Sequence, residues 1–378
     1  MKLTTALTTL MALGLATGAG AEIRLGASLS ASGGAAFLGD PEAKTLEMLV
    51  EEVNAAGGIN GEEIVLTLYD DGGDPNKART FATRLVEDDE VVAIIGGTTT
   101  GTTMSVLSVA EDEGIPFISL AGAIQIIDPV RDYVFKTPHT DRMACEKIFT
   151  DMQTRGISKI GMIAGTDGFG ASMEAQCKDV AGDHGIEILV AETYAPQDAD
   201  MTPQLTKIKA TEGVQAVLNP GFGQGPAIVT RNYAQIGLDL PLYQSHGVAS
   251  DGFIELTGVE AAEGVRLPGT ALLIADILED GDAQKQVVMA YKTAYEAKYG
   301  EAVSTFGGYA HDAFRLMVDA IARAGSDDPD EIRDALEATK DLVGTTGIYS
   351  FSADDHLGLN LSAFRMLEIR DGAWTSID

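Results

Sequence analysis

The sequence predicts an α/β protein built on mostly parallel sheets, and three observations carry that prediction. Strand-like and helix-like stretches alternate along most of the 378 residues. Some strands are continuous apolar runs, Val91–Ile95 (VVAII) above all, as expected where a parallel strand is covered on both faces. Hydrophobic residues make up 45% and charged ones 22%, enough core for roughly two domains.

The elements follow in order. Glu22–Ser28 (EIRLGAS) alternates apolar and polar residues and reads as a strand. Pro41–Ala55 puts Leu46, Leu49, Val50 and Val53 on one helical face, with Asp40 as N-cap and Pro41 at the first helical position. Glu63–Tyr69 is a second strand and Asn76–Asp88 a second helix. The alternation continues through Phe117–Leu120, the helix Asp141–Arg155, Lys159–Ile163, the helix Ala171–His184 and Ile186–Ala191. Ala216–Leu218, a helix near Ile228–Ile236 and Leu242–Gln244 extend it, with right-handed crossovers expected between parallel strands. The last third changes character. Ala283–Tyr299 and Thr305–Ala324 are long helices, and Asp328-Pro329-Asp330-Glu331 opens another with Asp328 capping and Pro329 at its first position. Gly347–Phe351 and Ala363–Arg370 read as closing strands, the second ending at the turn Asp371-Gly372.

Met1–Ala21 has the form of a secretory signal: Lys2, then a mostly apolar stretch Ala6–Ala16, then Ala19-Gly20-Ala21 as a cleavage site after Ala21. The mature chain is expected in the periplasm, since no later stretch is long and apolar enough to insert in a membrane. Asp and Glu total 57 against 26 Lys and Arg, a net charge of -31 that repels phosphate backbones and argues against nucleic-acid binding. Cys145 and Cys177 lie on neighbouring helical patterns, and export permits a disulfide; two buried thiols remain equally open from sequence.

Catalytic signatures are missing. Gly96-Gly97-Thr98-Thr99-Thr100-Gly101-Thr102-Thr103 approaches a P-loop but lacks its lysine. It still follows a strand and opens a helix, so it offers free amides and hydroxyls to an anion. No GxGxxG follows the first strand, and G-x-S-x-G, HExxH and paired CxxC are absent. His139, His184, His246, His311 and His356 are scattered, and Asp70-Asp71 and Glu279, Asp280 and Asp282 read as solvated turns. No enzyme activity, metal or cofactor is expected.

The run Asn54-Ala55-Ala56-Gly57-Gly58-Ile59-Asn60-Gly61, with Leu68-Tyr69-Asp70-Asp71 and Asp74-Pro75 after it, resembles the type I periplasmic binding proteins. Ala93-Ile94-Ile95-Gly96, Gly114-Ile115-Pro116-Phe117-Ile118-Ser119 and Asp328-Pro329 with Ile332-Arg333 and Ala335-Leu336 continue the likeness, which is nearest to the leucine/isoleucine/valine-binding branch. The resemblance implies two α/β lobes joined by three hinge strands. Lobe 1 would comprise residues 22–139 with 271–347, and lobe 2 residues 140–270 with 348–378. The crossings would fall near His139–Thr140, Gly269–Ala271 and Ile348–Tyr349.

The resemblance also implies a ligand site between the lobes. Thr100 would hydrogen-bond a ligand carboxylate, helped by Thr98 and Thr99, beside the Ala121 carbonyl and the Ala123 amide. Phe169 and Phe222 would close over the ligand from the second lobe, with Phe37 and Phe306 as further candidates. Where amino-acid binders of this branch carry a glutamate facing the ammonium, this chain has Ser245-His246-Gly247, and where they offer a hydroxyl after Ala121 it has Ala123. The expected ligand is a small carboxylate (keto, short-chain or aromatic acid) or an amino acid, handed to an ABC permease in the inner membrane. The alternative is the ligand-sensing member of a regulatory complex, because similar folds serve as amide sensors and receptor ectodomains.

Overall fold

The structure is a computed structural model describing residues 22–378; the expected signal sequence lies outside the described residues. In the first lobe, β1 (Glu22–Leu29), α1 (Ala36–Ala55), β2 (Glu63–Asp70), α2 (Pro75–Glu87), β3 (Ala93–Gly96), α3 (Thr100–Glu113), β4 (Phe117–Ser119) and β5 (Val134–Lys136) follow one another. Their five strands form a wholly parallel sheet in the order β2-β1-β3-β4-β5.

The second lobe runs α4 (Asp141–Thr154), β6 (Lys159–Gly165), α5 (Gly168–Val180), β7 (Glu187–Tyr194), α6 (Thr202–Ala210), β8 (Ala216–Asn219), α7 (Gln224–Gln235), β9 (Leu242–Gln244), α8 (Asp251–Thr257), α9 (Val259–Ala262) and β10 (Arg266–Gly269). The chain returns to the first lobe with α10 (Lys285–Tyr299), α11 (Thr305–Ala324), α12 (Pro329–Glu337) and the short pair β11 (Leu342–Val343) and β12 (Ile348–Tyr349). It then adds β13 (Arg365–Arg370) and β14 (Ala373–Ser376) to the second sheet, ordered β14-β13-β10-β9-β8-β6-β7. Only the last two strands run antiparallel to their neighbours.

Two details depart from the sequence reading, and a third decides between alternatives that the sequence left open. Pro41 is not at the first helical position, because α1 begins at Ala36 after a single 3-10 turn at Gly33–Ala35. Burial of Leu38 rewards the extra turn, which leaves Pro41 at the sixth helical position, where it withholds an amide that would otherwise meet the Phe37 carbonyl. The third crossing falls later than Ile348–Tyr349. Tyr349 donates its hydroxyl to the Thr137 carbonyl, and the His356 carbonyl accepts the Lys136 amide, so this stretch stays beside the first sheet. The chain joins the second sheet only at Arg365. Finally, Cys145 and Cys177 are joined in a disulfide between α4 and α5, with Cα atoms 5.1 Å apart.

Candidate functional site

Parallel sheets leave their strand-to-helix loops at one edge, and in this molecule both sheets aim that edge at the gap between the lobes. Thr98–Thr100 follow β3, Leu120–Gly122 follow β4, Phe169 follows β6, Phe222 follows β8 and His246 follows β9. These residues, with Leu38, Pro138, Gly247, Phe306 and Tyr309, line one small cavity of about 40 Å³. The cleft is shut. A Cβ placed on Gly122 in the first lobe would lie 2.8 Å from both His246 Nε2 and Phe169 Cε2 in the second.

The three threonines have three different tasks. Thr99 caps α3: its Oγ1 accepts the Thr102 amide at 3.2 Å, and its own amide donates to Thr102 Oγ1 at 3.0 Å. Thr98 Oγ1 lies 2.5 Å from Glu42 Oε2 and accepts the Ser30 amide at 3.0 Å. Thr100 is the free one, since its hydroxyl is buried without a partner. The turn before them depends on Gly97, whose φ of 66° suits glycine and whose Cβ would collide with Thr103 at 2.4 Å. Thr103 Oγ1 in turn donates to the Gly97 carbonyl and meets Ser119 Oγ at 2.9 Å, which ties the β3 loop to the β4 loop.

The second lobe supplies an aromatic wall. Phe169 stands edge-on to Phe222, with centroids 6.3 Å apart, and edge-on to His246 at 5.3 Å. His246 is buried, and neither ring nitrogen makes a hydrogen bond of acceptable geometry. Burial first, then the positive field of Lys136, pushes its pKa down to about 3, so the ring is neutral. Lys136 itself is buried at the hinge, where its Nζ donates to the Gly122 and His139 carbonyls at 3.1 and 3.2 Å. Burial pushes it down to about 7 against the opposing pull of Asp141.

Eight of the ten residues expected from sequence therefore meet around one cavity: Thr98, Thr99, Thr100, Ala121, Phe169, Phe222, His246 and Phe306. Phe37 does not line it; it packs edge-on against Phe306 at 5.8 Å, in the mouth of the cleft. Ala123 does not line it either. The Gly122 carbonyl accepts the Asp141 amide and the Ile124 amide donates to Asp141 Oδ1, which turns the chain away and buries Ala123 in the first-lobe core. Sequence reasoning missed Leu38, Leu120, Gly122, Pro138, Gly247 and Tyr309. Tyr309 was within reach, because it sits one helical turn after Phe306 and shares its face. Among the described residues, no group of three or more His, Cys, Asp or Glu side chains is placed to hold a metal ion.

Two α/β lobes closing over a small aromatic-walled cavity at their strand ends define a ligand-trapping binding protein. The chain belongs to the periplasmic binding protein family, which matches it over residues 22–373. It is 27% identical over 309 residues to the leucine-, isoleucine-, valine-, threonine-, and alanine-binding protein of Pseudomonas aeruginosa, covering 81% of this chain and 80% of that one. An extracellular ligand-binding receptor from Rhodopseudomonas palustris superposes with a TM-score of 0.88 at 30% identity, covering 94% and 99% of the two chains. The branched-chain amino acid transporter substrate binding protein of Streptococcus pneumoniae, solved with isoleucine, gives 0.84 at 26% identity, covering 94% and 98%.

Proposed function

We propose that this protein is the extracytoplasmic substrate-binding component of an ABC importer, and that it captures a small carboxylate lacking an α-ammonium by closing its lobes. One observation carries the ligand reading: among the described residues no Asp or Glu lines the cavity, and the second-lobe polar group that faces it is a neutral histidine. A buried ammonium there would have no counter-charge, which is costly. A carboxylate meets the opposite situation, with the free Thr100 hydroxyl and the first amides of α3 at hand. Phe169, Phe222, Phe306, Leu38 and Leu120 suit the apolar remainder of a keto, short-chain or aromatic acid.

The names of the relatives favour an amino acid as the second reading. Native mass spectrometry of co-purified ligand, followed by calorimetry with leucine and its deaminated analogue 4-methyl-2-oxopentanoate, separates the two. The oxo acid or another plain carboxylic acid should bind more tightly than leucine. Tight leucine binding with the oxo acid inert overturns the proposal, and co-purification with a transcriptional regulator in place of a permease overturns the transport role.

A further inference from the structure

Behind the cavity wall, α1 carries a fully buried carboxyl group with too few partners for a charge. Glu42 Oε2 lies 2.5 Å from the Thr98 hydroxyl, while Oε1 has no partner. An ionised carboxylate presents about four acceptor sites, and leaving most of them unmet in the interior is expensive. The neighbouring carboxyl, Asp71, is furnished differently. Ser28 Oγ, Ser30 Oγ and the Gly73 amide all donate to it, at 3.0, 2.6 and 2.9 Å. Burial raises the proton affinity of both acids, but three donors oppose the rise at Asp71 and only Thr98 opposes it at Glu42. Of two adjacent carboxyls, the better-bonded one keeps the charge, and that charge favours the proton on the other.

Among the described residues, no cation faces Glu42 from the elements packed on α1. Asp70, at the end of β2, accepts the Ser32 and Gly72 amides. From α10, Tyr291 is bonded to Thr45. From α11 come Tyr309, His311 and Asp312, the last accepting the Thr345 and Thr346 amides. On α1 itself, Lys44 is paired with Asp40 and Glu301.

Thr98 converts that proton into ligand preference. Its Oγ1 already accepts the Ser30 amide. If Glu42 is protonated, the acid O–H takes the second lone pair, and the Thr98 hydrogen is left for the cavity that Thr98 lines. If Glu42 is ionised, that hydrogen goes to the carboxylate and the cavity meets a lone pair. We propose that Glu42 is held as a neutral acid and fixes Thr98 as a hydrogen-bond donor, so that this wall selects an anionic acceptor over an amine. The ligand half of this proposal rests on the carboxylate reading above; the protonation of Glu42 does not.

The test uses the whole mature protein and two probes, benzoate and 4-methyl-2-oxopentanoate. Infrared spectra of ligand-free protein at neutral pH should contain the carbonyl stretch of a protonated carboxylic acid. That band should disappear in Glu42→Gln. Glu42→Gln, whose amide can still donate to Thr98, should bind whichever probe the wild type binds within about threefold, whereas Thr98→Val should lose about tenfold or more. Absence of the band, its persistence in Glu42→Gln, or an unchanged affinity in a folded Thr98→Val overturns the proposal. Should neither probe bind the wild type, the carboxylate reading and the Thr98 role fall together, while the acid band alone still decides whether Glu42 is neutral.

Discussion

Replacing Thr100 by Val changes one atom of consequence. Valine keeps the branched shape at the first position of α3, so the packing near Gly168 across the cleft is retained. What disappears is a buried hydroxyl, on a residue only 3% exposed, that has no partner within the protein. If that hydroxyl donates to a ligand carboxylate, the bond is worth about 1.5–3 kcal/mol, since hydrogen bonds to charged groups sit at the upper end of the net range. At about 1.4 kcal/mol per decade, the dissociation constant should rise roughly ten- to 150-fold. Isothermal titration with 4-methyl-2-oxopentanoate or benzoate measures this directly, and circular dichroism establishes that the variant is folded. A folded variant with wild-type affinity, or one that loses equal affinity for a ligand without a carboxylate, refutes the assignment of Thr100.

Three other outcomes follow from the same geometry. Gly122→Ala is allowed by its backbone but drives a methyl into His246 and Phe169; overpacking of about 1–3 kcal/mol should weaken binding some five- to 150-fold. Small-angle scattering should then show ligand shrinking the wild-type radius of gyration but not the variant's. Cys145→Ser with Cys177→Ser releases a cross-link of sequence separation 32, and chemical denaturation should show a loss of about 3–4 kcal/mol. His246 has a folded pKa of about 3, below its ordinary 6.5, so the unfolded chain binds more protons between those values and the stability from neutral His246 is lost as pH falls through that window. His246→Phe should flatten the decline by up to about 1.4 kcal/mol per pH unit there; an unchanged slope would show that the ring is already charged or exposed.

Much of this fold was readable because its elements announce themselves locally. Thr305–Ala324 and Leu242–Gln244 are bounded in the structure as in the sequence, the first by the Ser304 cap and the left-handed Gly325. The elements missed were β5, α6, α8, α9, β10, β11 and β14, the four strands among them being only two to four residues long and defined by tertiary pairing more than by pattern. The cavity was legible where a loop follows a parallel strand with unusual residues, as at Thr98–Thr100 and Phe169. It was illegible where the contribution is a backbone position, as at Gly122, or a core-like apolar residue, as at Leu38. Glu42 could not have been singled out at all. On α1 it is one glutamate among several, and only its burial beside Thr98 and Asp71 sets it apart.

The distribution of unpaired groups gives a physical reason for the hinge. Closing the cleft without a guest leaves the hydroxyls of Thr100 and Tyr309 and both nitrogens of His246 without partners. Each costs about 1–3 kcal/mol when stripped of water, so the closed form alone is disfavoured by several kcal/mol before apolar contacts return a part. The debt is divided, with Thr100 and Tyr309 on the first lobe and His246 on the second, so a ligand held by one lobe settles only a share of it. A ligand that reaches both lobes binds the closed form better than the open one, and that difference alone drives closure. It follows that selectivity and motion are one property here. A molecule that satisfies Thr100 but leaves His246 stranded should bind the open protein weakly and fail to shut it, whatever its affinity for the first lobe.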